Sequence, residues 1–133
     1  MADSVNRRTY YVGRVCLAAL FLPAGIAKFL GPQSFLIHMA AHGVPGLLLP
    51  GVGAFEILVA LALLTGLMLR PMAALAASFC LLTAVVFHLD FADHVERTMF
   101  FKDLAIAGGL LAVFSYRPVS PYMEDDVNYV HAD

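Results

Sequence analysis

Six ionisable side chains interrupt stretches that are otherwise apolar: Arg14, Lys28, Glu56, His88, Lys102 and Asp103. A charge in the middle of a membrane helix costs about 2.5–3.5 kcal/mol even on the lenient insertion scale, so each of these needs a partner or a task. Five carry formal charge, three positive and two negative, and can nearly neutralise one another. Two kinds of chemistry fit such a set. Lys28 with Glu56 and Lys102 with Asp103, or their crossed partners, can form ion pairs that fix helix register. Alternatively, a neutral His88 and a desolvated Glu56 can titrate near neutrality, as a proton-handling binding site requires.

Other reactive residues point less clearly. His38 and His42 are four apart, and His88 and His94 flank the acids of HLDFADH. Together they offer nitrogen and oxygen ligands of a type that suits zinc, copper or iron. Their loop-side positions leave no metal as the expectation, with His38, His42, His88 and His94 as the residues that would hold one. Cys16 and Cys80 lie at similar helical depth, where an apolar thiol is ordinarily inert packing. With no C-x-x-C, no phosphate loop, no nucleophile elbow and no dinucleotide fingerprint, nucleotide chemistry and dithiol exchange are not encoded.

The elements that carry these residues follow from composition. Of 133 residues, 61% are hydrophobic and 14% charged, and the mean hydropathy is +0.81. A domain this size buries only about two-thirds of its surface, so water cannot be its solvent. The net charge of -2 supplies no basic field for nucleic acid. Four stretches, 10–30, 47–69, 72–89 and 99–116, approach the 20 or so apolar residues that cross a bilayer. Period-2 alternation is absent. The expected fold is all-α: a four-helix transmembrane bundle, 1–116, in the lipid bilayer, followed by a polar, acidic, disordered cytoplasmic tail, 117–133.

Arg7, Arg8, Arg14, Arg70 and Arg117 gather on one side, against Arg97 on the other, which places both termini in the cytoplasm. Leu69-Arg70-Pro71 reads as a tight turn with Pro71 in the first turn of the next helix. Phe35, Leu36 and Met39 make the 31–46 connection a short interfacial helix between the first two spans. Tyr10, Tyr11, Tyr116 and Tyr122 suit an aromatic belt.

Depth and side-chain direction then select neighbours. At 1.5 Å per residue, Glu56 lies roughly 9–13 Å below the outer face, and Lys28, His88, Lys102 and Asp103 lie within about 6 Å of it. Side chains lean toward the N-terminus of their own helix, so Lys28 and His88 lean inward while Glu56 leans outward, toward one layer. Small-residue spacing nominates three packed faces: Gly53, Glu56 and Ala60; Ala77, Leu81, Ala84 and His88; and Lys102, Ala105, Gly109 and Ala112.

The order Arg14, Gly25-x-x-Lys28, Pro45, Glu56, Gly66-x-x-x-Arg70, His88 and Lys102-Asp103 over four short helices resembles the DoxX family, from about Tyr10 to Ser115. The resemblance implies a small multi-pass protein of the bacterial inner membrane. It also implies membrane redox work related to the small subunit of thiosulfate:quinone oxidoreductase, with Arg14, Lys28, Glu56, His88, Lys102 and Asp103 as the polar positions carried over. On that reading no cofactor is encoded, quinone is the ligand, and electrons come from a redox partner protein. The alternatives are a non-catalytic anchor or assembly subunit of a larger complex, and a small-solute permease, which four spans supply only as a homo-oligomer.

Overall fold

The computed structural model describes residues 2–116. Its elements are α1 (Ala2–Leu30), α2 (Gln33–Ala41), a 3-10 turn (Gly46–Leu48), α3 (Leu49–Thr65), α4 (Leu69–Phe87) and α5 (His94–Ser115). No strand occurs among the described residues. Four helices are long and apolar enough to cross a membrane, over Val5–Leu30, Gly46–Thr65, Leu69–Phe87 and His94–Ser115. Hydrocarbon offers no partner to a backbone N–H or C=O, so helices that satisfy their own groups are what such a sequence can build. Leu58, Leu61, Leu75, Leu82, Val85, Leu104 and Leu111 point outward, where lipid tails take the place of a core. The all-α bundle with a short helix between its first two spans is therefore observed. The tail 117–133, Tyr122 included, lies outside the described residues.

The bundle is two helix pairs. α1 packs along α3, α4 packs along α5, and the pairs touch each other far less. Alanines let the second pair close: Ala73, Ala76, Ala77, Cys80, Ala107, Leu110 and Val113 are buried in a common core with Ala18, Phe21, Val59, Ala60 and Leu63. In the first pair the closest approach is at Gly25 and Gly53.

Three local expectations need correction. The turn after α3 is Gly66-Leu67-Met68, ahead of the expected Leu69-Arg70-Pro71. Gly66 takes the left-handed conformation (φ 84°) and its N–H reaches the Ala62 carbonyl at 2.8 Å, the usual way glycine ends a helix. Pro71 still falls in the first turn of α4, where a missing N–H costs nothing. The last span begins at His94 rather than 99, because the Asp93 carboxylate accepts the Val95 and Glu96 N–H groups at 2.7 and 3.1 Å and caps the helix.

The third correction is rotational. On α5 the packed face runs through Ala107, Leu110 and Val113, while Lys102, Ala105 and Ala112 of the nominated stripe are exposed. On α4, Ala77 and Ala84 are buried as expected but Leu81 faces out. Small residues permit close approach; they do not require it, and here Leu110 and Val113 join Ala107 in the seam on α5.

Candidate functional site

Between the two helix pairs lies a cavity of about 400 Å³. Every long helix contributes to its wall, and α2 adds Phe35, His38 and Met39. Most of the lining is apolar, but Lys28, Glu56, Thr83, His88, Lys102 and Asp103 all reach it. Such a space, apolar with a few convergent polar groups, is the usual form of a small-molecule site.

The first polar group is an ion pair. The Lys28 Nζ donates to Glu56 Oε2 at 2.6 Å, with both side chains about nine-tenths buried. The ammonium also donates to the Ala24 carbonyl at 3.3 Å and stands 4.7 Å from the centre of the Phe35 ring on α2. Direction along the helices explains the meeting: Lys28 leans back along α1 and Glu56 back along α3, and the antiparallel helices bring them to one level.

The second group gathers on the other pair. His88 ends α4, and its Nδ1 lies 2.5 Å from Glu96 Oε2, within hydrogen-bond reach. Its Nε2 lies 3.9 Å from Asp103 Oδ2. The Thr83 hydroxyl is 3.1 Å from the same oxygen and 2.9 Å from the Cys80 carbonyl, with one proton to give. Lys102 does not pair with Asp103, the neighbour along the chain; its ammonium donates to the Met99 sulfur at 3.0 Å. Adjacent helical residues point about 100° apart, so sequence adjacency separates their heads.

α2 closes this end. The His38 ring stacks on Phe87 of α4 at 5.1 Å and lies 4.6 Å from His42 and 6.1 Å from His88. His38 is held below the ordinary histidine range, first by burial and then by His42, with Glu96 opposing and His88 adding a little. His94 opens α5, apart from this group. Among the described residues no set of three or more His, Cys, Asp or Glu side chains is arranged to hold a metal ion.

Arg14 belongs to the opposite end. Its Nε donates to the Leu63 carbonyl at 2.7 Å, and its guanidinium lies within 5.7 Å of the Tyr10 and Tyr11 ring centres. It caps α3, whose last carbonyls have no helical partner. Arg70 does the same for the Phe114 carbonyl at 3.0 Å. Cys80 lies in the core beside the cavity and Cys16 faces outward, both as free thiols.

Residues 10–89 match the DoxX family profile. The chain is also 43% identical over 100 residues to "Inner membrane protein YqjF" of Escherichia coli (strain K12), covering 75% of this chain and 77% of that protein. The chain belongs to the DoxX family. No solved structure matches it. The DoxX match contains Arg14, Lys28, Glu56, Thr83 and His88, whereas Glu96, Lys102 and Asp103 come from α5 beyond it.

Sequence reasoning missed Glu96 and Thr83. Asp93-His94-Val95-Glu96 has the spacing of a capping box, which marks a helix start and would have put Glu96 on α5. Its carboxylate does not close that box but turns to His88. Nothing in the spacing singles out Thr83.

Proposed function

We propose that this DoxX protein is an integral component of a redox system in the bacterial inner membrane, with both termini in the cytoplasm, and that its cavity receives a quinone headgroup. The location is supported by the Escherichia coli relative, which is named an inner membrane protein. The orientation is supported by Arg7, Arg8, Arg14 and Arg70 at one end of the bundle.

One observation carries the ligand reading: an apolar slot with hydrogen-bonding groups on opposing walls, Lys28 and Glu56 from one pair, His88, Lys102 and Asp103 from the other. A quinone ring presents flat apolar faces and a carbonyl oxygen at each end. Lys28 and His88 donate to those oxygens. Lys102, which among the described residues donates to a thioether sulfur alone, is the donor that a ligand recruits at least cost. Glu56 or Asp103 exchanges protons with the bound ring. Electrons come from a partner protein.

The test is purification in mild detergent, with mass spectrometry of the extracted lipid fraction and an absorption spectrum. A stoichiometric quinone that is lost in Lys102→Met, a change that breaks no recorded ion pair, supports the reading. A protein that emerges without quinone, and binds none when it is supplied, sinks it.

A second reading is a non-catalytic anchor or assembly subunit. It is favoured by one observation: every buried side-chain nitrogen and oxygen among the described residues already has a protein partner. On that account Glu56→Gln prevents accumulation, the Lys28→Met/Glu56→Leu pair restores it, and no ligand is involved.

A further inference from the structure

Glu96 and Asp103 lie seven residues apart on α5, so they share one face and differ in depth by about 10 Å. They open on different spaces. Glu96 lines a shallow outer pocket of about 440 Å³ with His42, Asp90 and Asp93, and Asp103 lines the inner cavity. His88 reaches in between them from the end of α4, with Nδ1 2.5 Å from Glu96 and Nε2 3.9 Å from Asp103. All three side chains keep some access to solvent, with exposures of 26%, 17% and 14% for Glu96, His88 and Asp103.

We propose that Glu96, His88 and Asp103 form a proton relay between the outer pocket and the cavity. It deepens the quinone reading, since it supplies the protons that a reduced quinone takes up, and it rests on that reading for its purpose but not for its operation. Glu96 takes a proton from water in the outer pocket and passes it to Nδ1 of His88. The ring releases its other proton from Nε2 to Asp103 Oδ2, across a gap that one bridging water or a small ring swing closes. Rotation of the ring or the reverse tautomer change then restores the start. One proton enters, one leaves, and no electron moves.

The arrangement has the features such a path needs. Imidazole is the side chain that accepts on one nitrogen while donating from the other near neutral pH. The Thr83 hydroxyl, 3.1 Å from Asp103 Oδ2, fixes the inner carboxylate. The remaining titratable groups around the two pockets are His38 and His42 on α2, Asp90 and Asp93 on the rim, Lys102 next to Asp103 on α5, Cys80 on α4, and the Lys28–Glu56 pair on α1 and α3.

The experiment is an external pH drop on the full chain in lipid nanodiscs, followed by time-resolved infrared spectroscopy. The protonated carboxyl band of Asp103 is assigned by its loss in Asp103→Asn. The expected result is that Glu96→Gln delays this band at least tenfold and that added imidazole, a diffusible proton carrier, restores it. A band that rises as fast in Glu96→Gln or His88→Phe as in the native chain overturns the relay. So does a delay that imidazole leaves untouched, since Glu96 would then only hold the ring in place. Binding of a short-chain benzoquinone is measured in parallel: its absence in the native chain sinks the quinone reading alone, and its retention in Glu96→Gln shows that the variant has kept the cavity.

Discussion

Gly25 and Gly53 bring α1 and α3 into backbone contact. A Cβ on Gly25 would lie 2.8 Å from the Gly53 carbonyl oxygen, and one on Gly53 would lie 3.1 Å from that of Gly25. Lys28 and Glu56 each follow their glycine by three residues, about one turn along their own helix. Side chains that lean back toward their helix N-termini then arrive at the crossing from opposite sides. The missing side chains of two glycines thus set the separation of an ion pair.

Gly25→Ala should therefore destabilise the bundle by about 1–3 kcal/mol, the usual cost of overpacking against atoms that cannot yield. Gly108 is the control. Nothing lies within 4 Å of a Cβ placed there, so Gly108→Ala should be neutral or up to about 1 kcal/mol more stable. Thermal unfolding in a fixed detergent compares the two.

Removing one member of the Lys28–Glu56 pair leaves the other buried and uncompensated. Lys28→Met alone should cost about 3–5 kcal/mol, and Lys28→Met/Glu56→Leu should recover most of that loss. The amount of folded protein in the membrane and its unfolding midpoint report both. Equal losses in the single and double variants would mean that the pair is not what holds the crossing.

Arg14→Met removes the donor to the Leu63 carbonyl. The expected loss is about 1.5–3 kcal/mol, the range for hydrogen bonds to charged groups. Because Arg14 lies at the end away from the cavity, the quinone binding proposed above should not change in the folded fraction. A binding defect without a stability defect would contradict that placement.

His38 is held below its ordinary value, so the unfolded chain takes up its proton first as pH falls. Its contribution to stability is therefore complete above pH 6.5 and is lost as pH drops from there through the lower, folded value. The unfolding midpoint of the native chain should fall as pH drops below about 6.5. His38→Phe, which keeps a ring against Phe87, should flatten that slope; a slope unchanged by the substitution would show that His38 does not carry it.

The sequence made some of this legible. Glu56 and Lys28 met as expected because depth and lean are properties of the helix itself, readable without knowing how helices rotate against each other. Which partner Asp103 takes, Lys102 or a crossed one, stays open in the sequence because that rotation is not local: Ile106 lines the cavity and Leu110 is buried, while Ala105 is exposed. Glu96 was hidden by the apolar threshold, which starts the span where hydropathy rises and so ignores a polar first turn. The end of α3 was written plainly in Gly66 but is overruled, on a hydropathy reading, by the apolar Leu67, Met68 and Leu69 that follow. The α2 cover was visible as Phe35 and Met39, but its reach to Phe87 depends on tertiary structure.

The division into two helix pairs bears on how the chain matures. Synthesis runs from the N-terminus, so α1 and α3 can join before α4 and α5 leave the ribosome, and each pair can enter the bilayer as a finished hairpin. The seam between hairpins closes last. Whatever occupies that seam acts as mortar: by mass action, a molecule that binds only the joined halves draws them together. If the quinone proposed above is that molecule, the yield of assembled protein should follow its supply in the membrane.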